Sequence, residues 1–70
     1  MGLKWDDSED IAALLIEEHP EVNPLEVRFT DLYRWVTELD DFDDDLKAST
    51  EGKLEAIQMA WLEEVKDRQE

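Results

Sequence analysis

The sequence contains no cysteine, and this absence excludes several kinds of chemistry at once. Disulfide bonds, thiolate nucleophiles and persulfide sulphur all require a cysteine side chain. Cysteine thiolates are also the usual ligands of iron–sulphur clusters, so we expect no tightly bound cofactor. The only histidine, His19, has no evident serine or cysteine partner. We therefore predict that the chain has no catalytic residues and is not an enzyme.

Positive charge is also scarce. The 70 residues include 7 Lys and Arg against 21 Asp and Glu, a formal net charge of −14. Nucleic acids and anionic membranes are disfavoured as partners, because binding to phosphates depends on lysine and arginine. Such a surface instead attracts cations or the basic face of a protein, through long-range forces that salt weakens.

Long apolar runs are missing. The longest, residues 11–16, is too short to span a bilayer. The first seven residues lack the apolar stretch of a signal peptide, so we expect a cytoplasmic location. The hydrophobic share of 41%, with three tryptophans, still suffices for a core and argues against disorder. We predict one domain over residues 1–70, present as a monomer.

Hydrophobic spacing predicts three helices. A cap at residues 7–8 begins the first helix, and His19 ends it, because the residue before a proline avoids helical geometry. Thr30 is expected to cap the second helix and residues 49–50 the third. The apolar residues expected to face the core are Ile11, Leu14, Leu15, Leu32, Trp35, Val36, Leu39, Leu54, Ile57, Trp61 and Val65.

A short segment separates the first two helices. Asn23 followed by Pro24 predicts a capped turn over residues 24–27. Residues 27–29 are too few for more than a short extended piece. The sequence therefore predicts a mainly α domain of three helices with one or two very short strands.

Five aspartates and Phe42 fill residues 40–45, a segment that we call the acidic loop. Aspartate is a poor helix former and adjacent carboxylates repel, so we expect an exposed loop anchored by Phe42. A charge run of this kind is often only a solubilising surface. The functional alternatives are a docking patch for a basic protein or a site for a hard cation, which prefers carboxylate oxygens.

The acidic loop does not fit the EF-hand motif for calcium. With Asp41 in the first position, the sixth, which requires glycine, is Leu46, and the twelfth, which requires glutamate, is Gly52. Any metal is therefore expected to bind weakly. The candidate ligands are Asp40, Asp41, Asp43, Asp44 and Asp45. A secondary cluster at the start of the first helix serves either as a weak metal site or as helix-dipole compensation, and contains Asp6, Asp7, Glu9 and Asp10.

The remaining aromatic and cationic residues are expected to be structural. We predict that Trp35 and Trp61 lie in the core and that Trp5 is half exposed. His19 is expected to bond the carbonyls of the last helical turn or to face water. The rare positive charges expected to pair with carboxylates are Arg28 and Arg34.

Aromatic and acidic positions recur with fixed spacing along nearly the whole chain, in Met1-Gly2-Leu3-Lys4-Trp5, Val27-Arg28-Phe29-Thr30-Asp31-Leu32, Trp35, Leu39, Asp41-Phe42-Asp43-Asp44-Asp45, Leu54-Glu55-Ala56-Ile57 and Trp61-Leu62. This pattern resembles the IscX family, small acidic proteins of bacterial iron–sulphur cluster assembly. The chain departs from the family pattern at Leu46, where proline is usual, and at Thr50, where asparagine is usual.

The resemblance implies a modified winged-helix fold, weak binding of iron, and binding to the cysteine desulfurase of the assembly system through an acidic face. It suggests an adaptor or regulator that tunes sulphur delivery. The residues expected to contact the partner are Asp31, Glu38, Asp40, Asp41, Phe42, Asp43, Asp44 and Asp45.

Two alternatives stand beside this interpretation. The same carboxylates are suited to serve as transient ligands of ferrous or ferric iron, which would make the chain an iron donor, or metallochaperone, to cluster assembly. A weaker alternative is a DNA-mimicking inhibitor, whose carboxylates imitate phosphates and block a nucleic-acid-binding protein. The DNA-mimicking inhibitor can be distinguished by testing whether this protein competes with DNA for the same partner.

Overall fold

The computed structural model describes residues 2–69, so Met1 and Glu70 lie outside the described residues. The chain forms three α-helices, α1 (Ser8–Glu18), α2 (Phe29–Thr37) and α3 (Glu51–Gln69). Two single turns of 3₁₀ helix connect them, Pro24–Glu26 and Leu46–Ala48. The prediction of a mainly α, three-helix domain is confirmed.

Local side-chain hydrogen bonds explain where the first 3₁₀ turn and α3 begin, whereas Asp7 occupies the predicted cap position of α1 without such a bond. The Asn23 side chain accepts a hydrogen bond from the Leu25 backbone N–H at 3.0 Å and so starts the first 3₁₀ turn. Thr50 Oγ1 accepts from the Lys53 backbone N–H at 3.2 Å and caps α3. Both caps agree with the sequence prediction, as does the end of α1 immediately before His19.

The region before α2 differs from the prediction. Thr30 is not the cap, because α2 already begins at Phe29 and Arg28 occupies the cap position without a side-chain hydrogen bond. Val27 and Arg28 are extended, but they pair with no other segment within residues 2–69, so the expected strand there is wrong. The described residues contain no sheet and hence no hairpin that would act as a wing, so the winged-helix expectation is not confirmed.

The core lies where the three helices meet. α1 packs along α3, and α2 contacts both. Ten apolar side chains are buried there: Trp5, Ile11, Ala12, Leu15, Ile16, Leu32, Val36, Leu54, Ile57 and Trp61. Full burial of a large aliphatic or aromatic side chain is worth about 1.5–3 kcal/mol. Among the side chains that the structure describes, no charged or polar one is buried, so the charges lie at the surface.

The turn Pro24–Glu26 is tied to the longest helix. Pro24 is buried, and its carbonyl accepts a hydrogen bond from Gln58 Nε2 of α3 at 2.7 Å. The contact holds the connection between α1 and α2 against the core. Within the described part of the chain, no helix is both long and apolar enough to cross a membrane.

Trp5 is a core residue, and the prediction that it is half exposed is wrong. Its side chain is 1% exposed. It stacks on Tyr33, with ring centroids 5.6 Å apart, and meets Phe42 edge-on at 4.7 Å. Its indole N–H donates to the Asp45 carbonyl at 2.8 Å. The indole can be buried because its single polar atom has a partner and its rings have aromatic neighbours.

We expect Trp5→Ala to lower the free energy of unfolding by about 3–5 kcal/mol, because it leaves a large cavity in a small core. That is about half of the 4–10 kcal/mol expected of a domain of this length. Trp5→Phe keeps an aromatic ring and loses the hydrogen bond, so its effect should be smaller, about 1–2 kcal/mol. Urea unfolding followed by far-UV circular dichroism measures both.

The matched control is Leu25→Ala, which truncates a side chain that is 64% exposed. Its effect should stay within about 0.5 kcal/mol. If Trp5→Ala were no more destabilising than this control, the aromatic cluster around Trp5 would not be part of the stable core.

Candidate functional site

The acidic loop, residues 40–45, is held in place by the N-terminal segment, residues 3–5. The Leu3 backbone N–H donates to the Asp41 carbonyl at 2.6 Å, and the Asp43 N–H donates to the Leu3 carbonyl at 2.8 Å. These bonds accompany an isolated parallel bridge between Leu3 and Phe42. We call the contacts between residues 3–5 and the loop the N-terminal clamp.

The residues on either side of Leu3 also contact the acidic loop. The Lys4 ammonium donates to the Asp43 carbonyl. Gly2 passes so close to the same residue that a Cβ at position 2 would collide with the Cβ of Asp43. A residue without a side chain is therefore required at position 2 for this approach.

Asp44 is the loop carboxylate that closes the clamp. Its Oδ2 accepts from the Trp5 backbone N–H at 3.0 Å, and its Oδ1 accepts from the Asp45 N–H at 2.7 Å. These two bonds favour the charged form and lower the pKa of the Asp44 carboxyl below its ordinary value, and the charges of Lys4 and Lys53 lower this pKa further. Asp44 therefore has a structural role, which limits its use as a ligand or a contact.

The other four loop aspartates, Asp40, Asp41, Asp43 and Asp45, are exposed. Within residues 2–69, none of these carboxylates forms an ion pair with a lysine or arginine. Phe42 is half-buried against the core beside Trp5, as expected of an anchor. The prediction of an exposed loop anchored by Phe42 is confirmed.

The exit of the loop is fixed by hydrogen bonds. Asp45 Oδ1 accepts from the Lys47 backbone N–H at 2.9 Å, which starts the second 3₁₀ turn. The Tyr33 hydroxyl donates to the Leu46 carbonyl at 3.0 Å. Leu46 thus lies in a turn that its neighbours hold.

Asp31 and Glu38, the two predicted contact residues outside the loop, flank Arg34 on α2. Arg34 lies 3.8 Å from Asp31 and 3.6 Å from Glu38. Exposed pairs of this kind contribute only about 0–1 kcal/mol, so both carboxylates stay accessible to a partner. The predicted pairing is confirmed for Arg34 and wrong for Arg28, which forms no ion pair in the part of the chain that the structure describes.

The four acidic residues of the secondary cluster at the start of α1 have separate local surroundings. Asp6 pairs with Lys53 at 3.6 Å, and Asp7 accepts from the Lys4 backbone N–H at 2.9 Å. Glu9 and Asp10 are exposed in the first turn of α1, where carboxylates suit the helix dipole. Across residues 2–69, no group of three or more histidine, aspartate or glutamate side chains is arranged to hold a metal ion.

His19 has a contact that sequence reasoning missed. Its half-buried ring stacks on Trp35, with centroids 4.1 Å apart and planes 20° from parallel. Trp35 in turn meets Trp61 edge-on at 6.2 Å. Trp61 is buried as predicted, whereas Trp35 is half-buried. The sequence carries no sign of this stack, because its partners belong to different parts of the chain.

Comparison with known proteins agrees with the family resemblance noted from the sequence. A family model described as iron–sulphur cluster assembly matches residues 3–66. An uncharacterized protein of Pseudomonas aeruginosa is 56% identical over 64 residues, which cover 91% of this chain and 97% of that relative. Residues 3–66 contain the N-terminal clamp, the acidic loop and all ten buried core residues.

We expect Asp44→Asn to destabilise the protein in a pH-dependent way. Because the pKa of Asp44 is lowered by folding, its carboxylate contributes stability that is fully present above the ordinary value of 3.8 and is lost as the pH falls through the lower folded-state value. The difference in free energy of unfolding between wild type and Asp44→Asn should therefore be largest above about pH 5 and shrink below it.

Urea unfolding between neutral pH and about pH 3 measures this difference. Asp41→Asn is the control, since it removes the same charge from an exposed carboxylate of the same loop. Because Asp41→Asn only relieves repulsion within the loop, it should not destabilise the protein. An equal pH-dependent destabilisation in both variants would mean that the hydrogen bonds of Asp44 are not its source.

Proposed function

The chain belongs to the IscX family of iron–sulphur cluster assembly proteins, and on that premise we propose that it is a non-catalytic cytoplasmic adaptor of the assembly machinery. Its proposed partner is the cysteine desulfurase of this system. The acidic loop, together with Asp31 and Glu38, is the proposed contact surface. The single observation that carries the proposal is a run of exposed carboxylates, unpaired within residues 2–69, on a loop that hydrogen bonds join to residues 3–5.

The exposure of the loop carboxylates and their lack of ion pairs within residues 2–69 support the adaptor role. A carboxylate that is exposed and unpaired needs no internal ion pair to be broken before it meets a partner's lysine or arginine. A strongly negative face also speeds the encounter with a basic one and disfavours acidic partners. The net charge of −14 gives the whole chain the same sign as its loop.

The N-terminal clamp also supports the proposed adaptor function. Ordering a flexible segment on binding costs free energy, and a loop that is already ordered avoids much of this cost. Five hydrogen bonds join residues 3–5 to residues 41–45. A DNA-mimicking inhibitor would use the same charges, but membership in this family favours the assembly machinery as the partner.

Weak binding of iron is a second proposed property, and delivery of iron is the alternative function. Asp40, Asp41 and Asp43 line a shallow hollow of about 390 Å³ next to Gly2, and carboxylate oxygens suit a hard cation. The described residues do not, however, form a group that fits a resident metal. We therefore favour the adaptor role, with iron as weakly held cargo.

Reversing two loop charges, Asp41→Lys with Asp43→Lys, should weaken binding to the desulfurase by at least about tenfold at low salt, which is ~1.4 kcal/mol. The salt dependence of binding should also become shallower, because fewer charge pairs form. Asp44 is left intact because its carboxylate closes the loop. Isothermal titration calorimetry at two salt concentrations measures affinity, and circular dichroism verifies that helicity is retained.

The matched control is Glu63→Lys with Asp67→Lys, which changes the net charge equally on exposed positions near the end of α3. It should retain most of the affinity. Equal losses in the two variants would indicate a response to net charge alone, and an unchanged affinity in the loop variant would refute the proposed contact surface.

Anaerobic titration with Fe²⁺, followed by backbone amide resonances, tests the iron property. Broadening should concentrate on residues 40–43, require about millimolar metal, and vanish in Asp41→Asn with Asp43→Asn, because exposed carboxylates hold a cation weakly. Glu63→Gln with Asp67→Asn should leave the broadening unchanged. Even broadening over the surface would contradict a local site, whereas saturation at micromolar metal would favour the iron donor over the adaptor.

A further inference from the structure

A second concave surface lies beside the acidic loop. A groove of about 550 Å³ runs between the end of α1 and the second half of α2. Its α1 side contains Glu18 and His19, and its α2 side continues through Leu39 to Asp40. Glu38 and Asp40 belong to the proposed contact surface, whereas Glu18, His19 and Trp35 do not.

One wall of the groove is aromatic and fixed by the core. The His19 ring stacks on Trp35 at 4.1 Å, and Trp35 rests edge-on against the buried Trp61. Leu39 is half-buried next to them. Such a wall suits the methylene stem of a long side chain, which packs on apolar surface while its charged end stays near water.

The charged groups of the groove are mostly negative. Three carboxylates line it, those of Glu18, Glu38 and Asp40, against the single guanidinium of Arg34, which leaves two negative charges in excess. Arg34 is already engaged by Glu38 at 3.6 Å and Asp31 at 3.8 Å. Within residues 2–69, the carboxylates of Glu18 and Asp40 form no ion pair with lysine or arginine.

An arginine guanidinium binds well where an aromatic surface lies beside unpaired carboxylates. Arginine has a planar group that stacks on aromatic rings and donates paired hydrogen bonds to carboxylates, whereas lysine has a compact and strongly hydrated charge. A negatively charged side chain would be repelled by the two excess negative charges, and an apolar one would gain nothing from the carboxylates. The charge and shape of the groove therefore select a basic side chain, and arginine above lysine.

We propose that this groove is a pocket for one arginine side chain of a basic protein partner. The inference rests on the proposed adaptor function and adds a specific anchor point to the diffuse attraction of the acidic loop. Interfaces often draw most of their affinity from a few such anchors, among which arginine is enriched. Asp40 belongs both to the groove and to the hollow of the loop, so one partner surface can reach both.

The test uses the whole chain and three blocked tripeptides with glycine on either side of arginine, lysine or citrulline. Citrulline has nearly the shape of arginine without its charge. In NMR titrations the arginine peptide should shift the Trp35 indole N–H and the resonances of residues 18, 19 and 38–40, with half-saturation at about millimolar concentration as for a small ligand. The lysine peptide should bind several-fold more weakly, and the citrulline peptide should cause no saturable shift.

Glu18→Gln with Asp40→Asn should weaken the arginine peptide roughly fivefold while leaving the Arg34–Glu38 pair in place. Glu55→Gln with Glu63→Gln removes two exposed charges from α3 and should leave binding unchanged. Shifts spread evenly over the acidic loop and the start of α1, saturable shifts from the citrulline peptide, or equal weakening in both variants would overturn the inference.

Measurements with the desulfurase separate this inference from the adaptor proposal. If loop reversal weakens the complex while the arginine peptide does not enter the groove, the groove inference fails alone. If the peptide enters the groove while neither the loop nor the groove variants change desulfurase binding, the groove is a pocket for arginine but the proposed partner is wrong.

Discussion

The N-terminal clamp is the interaction on which the surface of this protein depends. Five aspartates in six residues would by themselves make an extended, mobile segment, because two carboxylates about 6 Å apart in water repel by roughly 0.7 kcal/mol. Each hydrogen bond from residues 3–5 to the loop contributes about 0.5–1.5 kcal/mol, and there are five of them. Together with the burial of Trp5, these bonds oppose the repulsion and favour the position in which the loop lies against residues 3–5.

A small core and a highly charged surface are compatible here because they are kept apart. The buried residues are apolar, and no described side chain that is charged or polar is buried. Burying an unpaired charge would cost several kcal/mol, a large fraction of the stability of a 70-residue domain. The charges are therefore left on the surface, where water solvates them. The aromatic cluster around Trp5 packs against Phe42 and so positions the loop that carries them.

The parts of the fold that local chemistry determines could be predicted from the sequence. The turn at Asn23, the cap at Thr50 and the end of α1 before Pro20 depend on neighbouring residues, and each lies where the sequence indicates. The start of α2 was missed because Thr30 is a good cap by type, although the helix begins one residue earlier without a side-chain cap.

Contacts between distant residues could not be predicted in this way. Trp5 meets Phe42 and Asp45 across nearly forty positions, so its burial leaves no periodic pattern near residue 5. The stack of His19 on Trp35 joins the end of one helix to another helix for the same reason. The position of the candidate site was predictable from the run of aspartates in the sequence, whereas its hydrogen bonds to residues 3–5 and the groove beside it follow from tertiary packing.

Five aspartates that look equivalent in the sequence have different physical roles. Asp44 stabilises the fold through two backbone N–H groups, which the fall in its pKa reflects. Asp45 starts a turn, and Asp41 and Asp43 present their carboxylates to water. Asp40 connects the loop to the aromatic groove, so the two surfaces are continuous. A partner that contacts the loop brings its neighbouring side chains to the groove at a high effective concentration, and an anchor that is weak alone then adds substantially to the affinity of the whole.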